Sequence, residues 1–284
     1  MTVNRPIFVV GGPRSGKKMT SEVLARHPEI SAFPCEMTFL WRHGHRGFAY
    51  DSLTPDMLTP AITRVLHRTF EKARKPDAPR VVDRTDHNVV RLEYVREAFP
   101  DCLIIHLVRD GRGSVASAIR RRRSNPGLRY LLEKTAAIPL SDLPFQSARY
   151  GWDVLQSRLG KDRYRKLWGI LTPVTVQFER HPSLAVKCAI QWRESVRLGL
   201  ASQDNFDASN YMVVRYEDSV RRPVEIFRDV FEFVGLQWNT DTENWLKENV
   251  HSGSIDLWKR NLTEEQLTEI SPHIDELLGD LGYD

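Results

Sequence analysis

The stretch GGPRSGKKMT, residues 11–20, has the residue types and the spacing of a loop that binds phosphate. It follows the apolar run at residues 7–10, and from Gly11 to Lys17 it reads G-x-x-x-x-G-K. A glycine-rich turn between a strand and a helix presents backbone N–H groups and the positive end of the helix dipole to an anion. ATP- and GTP-using loops of this kind then carry Ser or Thr as a magnesium ligand, but this chain carries Lys18. The loop predicts a phosphate site that lacks the usual magnesium ligand.

Two further stretches could bind an anion or a nucleotide. HLVRDGRGSVASAIR, residues 106–120, places Arg109 after an apolar strand and Ser117 on the following helix, at the sheet edge where ligands of open α/β folds lie. VVRYEDSVRRP, residues 213–223, places Tyr216 after another strand. Taken alone, the first stretch also fits a surface ion pair followed by neutral helix positions, and the second also fits a solvated turn.

Composition limits the class of protein. The chain has 284 residues, of which 41% are hydrophobic and 27% charged, so we expect a folded globular protein and not a disordered, collagenous or membrane protein. The net charge of +4 fits a small anionic ligand at least as well as a polynucleotide, and no nucleic acid partner is expected. No apolar run approaches the roughly 18 residues of a membrane-spanning helix, so we expect a cytoplasmic protein. Three separated cysteines without a CxxC pair give no sign of a metal or redox site.

The apolar runs predict a parallel sheet. Most of the expected strands are near-continuous apolar runs, which suit strands covered on both faces, and the stretches between them are helical. These expected strands are residues 7–10, 81–82, 103–108 and 211–214. The fold class is therefore α/β, with a P-loop-like central parallel sheet flanked by helices in a single domain over residues 1–284. In residues 124–180, proline, glycine and charged residues interrupt any regular spacing of apolar residues. We expect this stretch to form a partly helical cap inserted on the acceptor side of the site.

Together, the motifs resemble the PAPS-dependent sulfotransferase family, particularly its bacterial members. In that family the loop reads like G-x-P-R-S-G-T-T, the second motif like L-V-R-D-x-R-x-x-x-x-S, and the third like R-Y-E-D, in the order found here. DRTDHN at residues 83–88 is similar to the family's D-K-T-P-x-N. The ending from Trp258 to the final LGY is similar to the family's W-x-x-x-L and terminal L-G-Y. The resemblance leaves out residues 124–180.

The resemblance implies that the first loop holds the 5′-phosphosulfate of 3′-phosphoadenosine 5′-phosphosulfate (PAPS), whose desulfated product is PAP. Arg14 matches a basic residue beside the bridging oxygen, where a preorganised cation stabilises the charge that grows on the leaving phosphate. Arg109 and Ser117, eight residues apart as in the family, match its pair on the 3′-phosphate. The donor site implied in this way, which requires no metal, comprises Gly12, Pro13, Arg14, Ser15, Gly16, Lys17, Lys18, Met19, Arg109, Ser117 and Tyr216.

A general base is expected near the acceptor, because a hydroxyl or amine loses a proton as it attacks sulfur. Glu36, in FPCEMTF, matches the glutamate that serves as base in several relatives and is the first candidate. His87 is the second, because it follows a predicted strand and histidine is near-neutral at physiological pH. Asp86 is the third, because it occupies a column that holds proline in many relatives and a catalytic histidine in others. With Arg14, Glu36 and His87 form the predicted catalytic set.

This chain departs from the family pattern at two places. Most relatives have two hydroxyl residues after the loop glycine, where this chain has Lys17 and Lys18, whose charge can replace hydroxyl hydrogen bonds to the 5′-phosphate. His251-Ser252-Gly253 stands where some relatives carry Arg-Lys-Gly on the 3′-phosphate. The basic run at residues 120–123 could receive an anionic acceptor, or it could be the solvated end of a helix.

The expected function is transfer of a sulfuryl group from PAPS to a hydroxyl, or less readily an amine, of a small-molecule, lipid or carbohydrate acceptor. Two rival functions stay open. The first is a P-loop kinase that uses magnesium-ATP, against which stand Lys18 and the Arg109 and Ser117 pair. The second is a non-catalytic protein that binds a nucleotide or a polyanion.

Overall fold

The central feature of the fold is a five-stranded parallel sheet with strand order β2-β3-β1-β4-β5. The structure is a computed structural model, and it describes residues 3–45, 47–123 and 169–283. The strands are β1 Ile7–Gly11, β2 Ile30–Ala32, β3 Arg80–Asp83, β4 Leu103–Val108 and β5 Tyr211–Arg215. β1 lies in the middle of the sheet, since Ile7 is in register with Val82 of β3 on one side and with Leu103 of β4 on the other.

The sheet confirms the predicted fold class and adds one strand that the sequence did not reveal. All four predicted strands are present, each extended by a residue or two at most. The additional strand, β2, has only three residues, and Ile30 to Ala32 pair in parallel with Arg80 to Val82 of β3. A three-residue segment that includes the polar Ser31 shows no period long enough to recognise, so only pairing with β3 identifies it as a strand.

Helices cover both faces of the sheet. They are α1 Lys17–Leu24, α2 Thr38–Trp41, α3 Pro60–Ala73, α4 Leu92–Ala98, α5 Gly111–Arg123, α6 Pro173–Gln177, α7 Leu184–Ala201, α8 Tyr216–Arg221, α9 Pro223–Phe233, α10 Thr240–Asn249, α11 Trp258–Asn261 and α12 Glu264–Asp280. Several begin at a side-chain cap, as at Ser183, whose hydroxyl accepts from the Val186 N–H, and at Thr263, which forms a capping box with Gln266. Within the described ranges, no helix is long and apolar enough to cross a membrane.

Alternate residues of β1 belong to two different apolar cores. Phe8 and Val10 pack in the cluster that contains Trp41 and Phe70, whereas Ile7 and Val9 pack in the cluster on the opposite face. Because both faces are covered, β1 is a continuous apolar run, as expected for a central parallel strand. A third cluster lies among α5, α7 and α12. The sheet is therefore held from both sides, which fixes the positions of its carboxyl-terminal loops.

The predicted cap at residues 124–180 lies largely outside the described residues. Residues 169–180 are described, and they contain the short helix α6. The chain is tied there to the segment before α3: the Asp51 N–H donates to the Leu171 carbonyl at 2.6 Å, and the Leu171 N–H donates to the Asp51 carboxylate at 2.8 Å. The partly helical cap and the single domain stay predictions.

A buried histidine joins β4 and β5 to α7. The Tyr211 hydroxyl donates to the Gly199 carbonyl at 2.7 Å, so it accepts its second hydrogen bond, at 2.8 Å, from Nδ1 of His106. A Cβ on Gly199 would lie 2.5 Å from the His106 ring, which shows how closely α7 packs on the sheet. Burial lowers the pKa of His106 to about 3, and the positive charge of Lys17 acts in the same direction. The folded protein therefore keeps His106 neutral.

The neutral state of His106 predicts a loss of stability in mild acid. Below the ordinary pKa of about 6.5 the unfolded chain binds a proton that the folded chain refuses until about pH 3, so unfolding is favoured as the pH falls through that window. We expect this group to lower the free energy of unfolding by about 2 kcal/mol between pH 7 and pH 5. His106→Asn, which keeps a donor near Nδ1, should reduce the pH dependence by that amount in chemical denaturation. Equal pH dependence in both proteins would contradict the assignment.

Candidate active site

A cavity of about 1170 Å³ opens where the chain leaves the carboxyl ends of the strands. All five strands contribute to its wall through the residues that follow them, which is the edge where ligands bind in open α/β sheets. Its basic side chains are Arg14, Lys17, Lys18, Arg84, Arg109 and Arg121, and its carboxylates are Glu22, Glu36 and Asp86. The excess of basic groups makes it a cavity for an anion.

The loop after β1 reaches its shape through two residues with positive φ. Arg14 has φ 63° and Gly16 has φ 100°. A Cβ on Gly16 would lie 2.7 Å from Cδ2 of Tyr216, so the tyrosine ring packs directly on the glycine backbone. The position therefore needs glycine for two reasons, the backbone angle and the close approach of the ring. The first predicted motif and the third thus meet at this contact.

Lys17 turns its ammonium group into the loop. Its Nζ donates to the carbonyl oxygens of Gly11 and Gly12, at 3.0 and 2.5 Å, and lies 3.1 Å from the Ser15 hydroxyl. The same ammonium lies 3.1 Å from a carboxylate oxygen of Asp86. Lys17 is buried, so its charge is held inside the loop by oxygen atoms from two segments of the chain.

Lys18 lies at the rim of the same cavity. Its side chain is 74% exposed, and its ammonium lies 3.5 Å from Glu22, one helical turn along α1. Surface pairs of this kind contribute little to stability because water screens them. The two predicted loop lysines therefore differ: Lys17 is part of the loop, and Lys18 is a mobile charge at its edge.

Arg109 places a buried positive charge beside the loop. Its guanidinium donates to the carbonyl oxygens of Arg14, at 2.8 Å, and Ser254, at 3.3 Å, and lies 4.1 Å above the ring of Tyr216. Among the described residues, no carboxylate lies within ion-pair distance of this group, although Arg109 is only 8% exposed. Asp110 pairs instead with Arg112, at 2.9 Å. Arg109 is therefore buried and does not form an ion pair with Asp110, which was the alternative interpretation of this stretch.

Arg14 and Ser117, two of the predicted site residues, are in direct contact. Nε of Arg14 donates to the Ser117 hydroxyl at 3.1 Å, which links the first loop to α5. Partial burial lowers the pKa of Arg14; Asp86 acts against this effect, and Arg121 and Arg109 add to it. Arg14 thus lies near other arginines as well as near Asp86. Such an environment favours an anionic ligand, because the ligand relieves the repulsion among the arginines.

Two of the three candidate bases line the cavity. Glu36 and Asp86 belong to its wall. His87 is not among the described residues that form the wall; its Nδ1 lies 3.5 Å from the Thr38 hydroxyl and its Nε2 lies 3.7 Å from the Asp51 carboxylate. The structure therefore brings the two carboxylates to the cavity and directs the histidine toward Thr38 and Asp51.

A buried carboxylate positions the two loops that carry these candidates. Asp83, at the end of β3, accepts hydrogen bonds from Nε1 of Trp41 at 2.6 Å and from the N–H of Thr85 at 2.7 Å. The Thr85 hydroxyl in turn accepts from the Met37 N–H at 2.8 Å. Burial raises the pKa of Asp83 against the effect of these hydrogen bonds. The chain around Glu36 is thus fastened to the chain around Asp86.

The RYED motif contributes more to structure than to the cavity. Tyr216 lines the cavity, but the buried carboxylate of Glu217 accepts from the Asp110 N–H at 3.0 Å and from the Tyr283 hydroxyl at 2.9 Å. The motif therefore ties β5 to the start of α5 and to the terminal LGY. The segment is therefore not the solvated turn that its sequence also fits, since Tyr216 and Glu217 are both buried. Of these two residues, Tyr216 lines the cavity and Glu217 does not.

Several residues at the cavity or beside Arg109 were absent from the predicted set, among them Arg84, Arg121 and Ser254. Arg84 and Arg121 line the cavity, and Ser254 accepts from Arg109 through its carbonyl and contacts the Tyr216 hydroxyl at 2.7 Å through its own hydroxyl. Arg84 could have been found, since DRTDHN has a basic residue where the family's D-K-T-P-x-N has lysine. Ser254 gave no signal, because it follows His251-Ser252-Gly253, where the family's basic residues are missing.

Comparison with known proteins identifies the family. A model of the sulfotransferase family matches residues 6–140 and 161–240, which include the loop, Arg109, Ser117 and Tyr216. The chain belongs to the sulfotransferase family. The family supports a transferase activity. Among the described residues, no group of three or more histidine, cysteine, aspartate or glutamate side chains is arranged to hold a metal ion.

Relatives and solved structures agree with this family. The chain is 26% identical to human carbohydrate sulfotransferase 2 over 67% of its length, and 21% identical to a protein-tyrosine sulfotransferase of Drosophila melanogaster over 82% of its length. These matches span only 36% and 38% of the two relatives. The fold is similar to that of the sulfotransferase domain from the curacin biosynthetic pathway, with a TM-score of 0.58, 15% identity and coverage of 100% of this chain and 99% of that one. A mouse sulfotransferase complexed with PAP gives a TM-score of 0.51 at 15% identity, over 98% of this chain and 86% of that one.

The contact between Gly16 and Tyr216 gives a prediction for stability. Gly16→Ala puts a methyl group 2.7 Å from the ring and a side chain at φ 100°, so we expect the free energy of unfolding to fall by about 1–3 kcal/mol. The matched control is Gly253→Ala, because a Cβ there meets nothing within 4 Å, and we expect a change within about 0.5 kcal/mol. Denaturant unfolding measures both. Equal losses would show that the ring does not pack on Gly16.

Proposed function

We propose that this sulfotransferase transfers a sulfuryl group from PAPS to a hydroxyl, less readily an amine, of a small-molecule, lipid or carbohydrate acceptor. The observation that carries the proposal is the guanidinium of Arg109, which is buried beside the loop and hydrogen-bonded to carbonyl oxygens. Within residues 3–123 and 169–283, as far as they are described, this buried cation has no carboxylate within ion-pair distance, and a buried charge without such a partner is costly. A phosphate at this position offsets that cost, and it distinguishes PAPS, which has a 3′-phosphate, from ATP.

Residues in the cavity and beside it are proposed to bind each part of PAPS: the 3′-phosphate, the 5′-phosphosulfate and the adenine. Arg109 and Ser117 would hold the 3′-phosphate, and the loop from Gly12 to Lys18 would hold the 5′-phosphosulfate. Tyr216 and Met19 would contact the adenine; Met19 lines the cavity, and its Cε lies within 4 Å of the Cβ position of Gly16. The family membership and the PAP bound in a protein of similar fold support the same assignment. When bound, PAPS supplies the sulfuryl group that leaves the phosphate oxygen.

Arg14 and Glu36 are the residues proposed for the chemical step. Arg14 lies in the loop and at the cavity wall, where its charge would stabilise the negative charge that grows on the leaving phosphate oxygen. Glu36, at the wall after β2, would take the proton from the acceptor hydroxyl. His87, the alternative base, would have to turn from Thr38 and Asp51 toward the cavity.

The acceptor class follows from the relatives as a proposal. Carbohydrate and protein-tyrosine sulfotransferases are among the proteins that this chain resembles, and both names point to a hydroxyl as the group that receives sulfate. A carbohydrate acceptor agrees with the expectation from the motifs. The mixed wall of the cavity near Glu36, which includes Phe33, Pro34 and Arg84, offers an apolar surface beside a cation.

Ligand-induced stabilisation tests the donor. We expect PAP to raise the melting temperature without magnesium, since a ligand at 100 times its Kd adds about 2.7 kcal/mol to the free energy of unfolding. Arg109→Ala should weaken PAP binding about 30-fold or more, because it removes a desolvated charge from the 3′-phosphate. Stabilisation only by magnesium-ATP would show a kinase instead.

Arg26→Ala is the matched control for Arg109→Ala. Arg26 also lies over an aromatic ring, 4.3 Å from the centre of Trp245, but it is not part of the cavity wall. Its removal costs a cation–π contact of the same kind. Because Arg26 is exposed and Arg109 is buried, the melting temperature of each variant without PAP is measured as well. PAP affinity should be unchanged in Arg26→Ala.

The base is tested by turnover with radiolabelled PAPS and a panel of carbohydrate, phenol and tyrosine-peptide acceptors. We expect Glu36→Gln to lower turnover about 100-fold or more and to leave PAP affinity within a factor of about three, because a general base acts on the acceptor proton. His87→Asn is measured beside it. A larger loss in His87→Asn would assign the base to His87, and binding of PAP without transfer to any acceptor would favour a non-catalytic nucleotide-binding protein.

A further inference from the structure

The ion pair of Lys17 and Asp86 joins two positions at which this chain departs from the family pattern. Lys17 stands where most relatives have a hydroxyl residue, and Asp86 stands where many have proline. They are 69 residues apart in the sequence, yet Nζ and Oδ1 are 3.1 Å apart. The contact exists because β1 and β3 are parallel neighbours, so the loops that follow them meet at the same sheet edge.

The surroundings of Lys17 hold its ammonium group in place. Three N–H donors face four oxygen atoms: those of Gly11, Gly12, Ser15 and Asp86. Only Asp86 among these carries a negative charge. The side chain of Lys17 is 5% exposed and that of Asp86 is 32% exposed, so the ammonium lies under the loop and the carboxylate lies at the cavity wall.

An unpaired carboxylate at this wall would oppose the binding of an anion. Asp86 shares the cavity with the loop proposed to hold the 5′-phosphosulfate, and two anions close together repel one another. Lys17 cancels that charge from within the loop. The pair therefore adds no net charge to the site, although each member alone would change it.

We infer that Asp86 is a positioning residue that acts through Lys17, and that the lysine and the aspartate are tolerated in this site only as a pair. Asp86 holds the Lys17 ammonium at the loop, and Lys17 neutralises the carboxylate that the donor's phosphosulfate would otherwise meet. Asp86 is then the partner of a lysine, which leaves Glu36 as the wall carboxylate proposed to take the acceptor proton. The inference rests on the proposed function, because it takes PAPS as the donor.

Rescue by a second substitution tests the pair, with PAP affinity measured by calorimetry. Lys17→Thr leaves Asp86 as an unpaired anion and should weaken PAP binding about tenfold or more. Lys17→Thr with Asp86→Asn should restore the affinity to within a factor of about three of wild type, and the KM for PAPS should follow the same pattern. The matched control is Lys17→Thr with Glu36→Gln, which removes a different wall carboxylate and should not restore binding.

The outcomes separate this inference from the proposed function. Failure of the wild-type protein to bind PAP overturns both. PAP binding by wild type with no rescue by Asp86→Asn, or with equal rescue by Glu36→Gln, overturns the pairing alone. Asp86→Asn by itself overturns it too if kcat falls about 100-fold while PAP affinity stays as in wild type, because Asp86 then acts on the acceptor proton. Ligand-free melting temperatures show whether each variant folds, and Lys17→Met replaces Lys17→Thr if that variant does not.

Discussion

The guanidinium of Arg109 connects the separate parts of the cavity. It donates to the backbone of the first loop at Arg14 and to Ser254, and it lies on the ring of Tyr216, which itself packs on Gly16. The backbone of Arg109 is held as well, because Nε1 of Trp192 on α7 donates to the Arg109 carbonyl at 2.8 Å. Loops after β1, β4 and β5 are therefore held against one another by one buried side chain. This arrangement is possible because a guanidinium presents five N–H donors in a fixed plane.

The carboxylates of the site divide into those that build it and those that face the cavity. Asp83 and Glu217 are buried, and each accepts hydrogen bonds that join segments distant in sequence. A buried carboxylate is stable only when hydrogen bonds replace the water it has lost. Glu36 and Asp86 lie at the wall, and Asp86 is paired there with Lys17. The loops that form the cavity are thus positioned by buried carboxylates, whose oxygen atoms accept hydrogen bonds from within the fold.

The sequence predicted four of the strands because each of them is a local run of apolar residues. Four of the five strands are apolar runs, and the fifth, Ile30–Ala32, is too short to show a period. Of the predicted donor-site residues, Arg14 to Met19, Arg109 and Tyr216 line one cavity, because the segments that carry them follow strands of one parallel sheet. Ser117 accepts a hydrogen bond from Arg14 but is not part of the cavity wall. The motifs did not predict Arg84 as a site residue, although it lies within DRTDHN. No motif marks Ser254. The cap predicted at residues 124–180 is the part for which local pattern was weakest.

By itself, the sequence determined which strands lead into the loop, Arg109 and Tyr216, because strand, turn and helix propensities act over a few neighbouring residues. Only the tertiary structure decided how the charges at those ends are paired. Lys17 pairs with Asp86, and His87 lies beside Asp51. The Glu217 carboxylate accepts from the Asp110 backbone N–H and from the Tyr283 hydroxyl. Each of these contacts joins segments far apart in the chain. The strength of such contacts depends on distance and burial. Both are set by how the strands pair, which no local pattern of residues records.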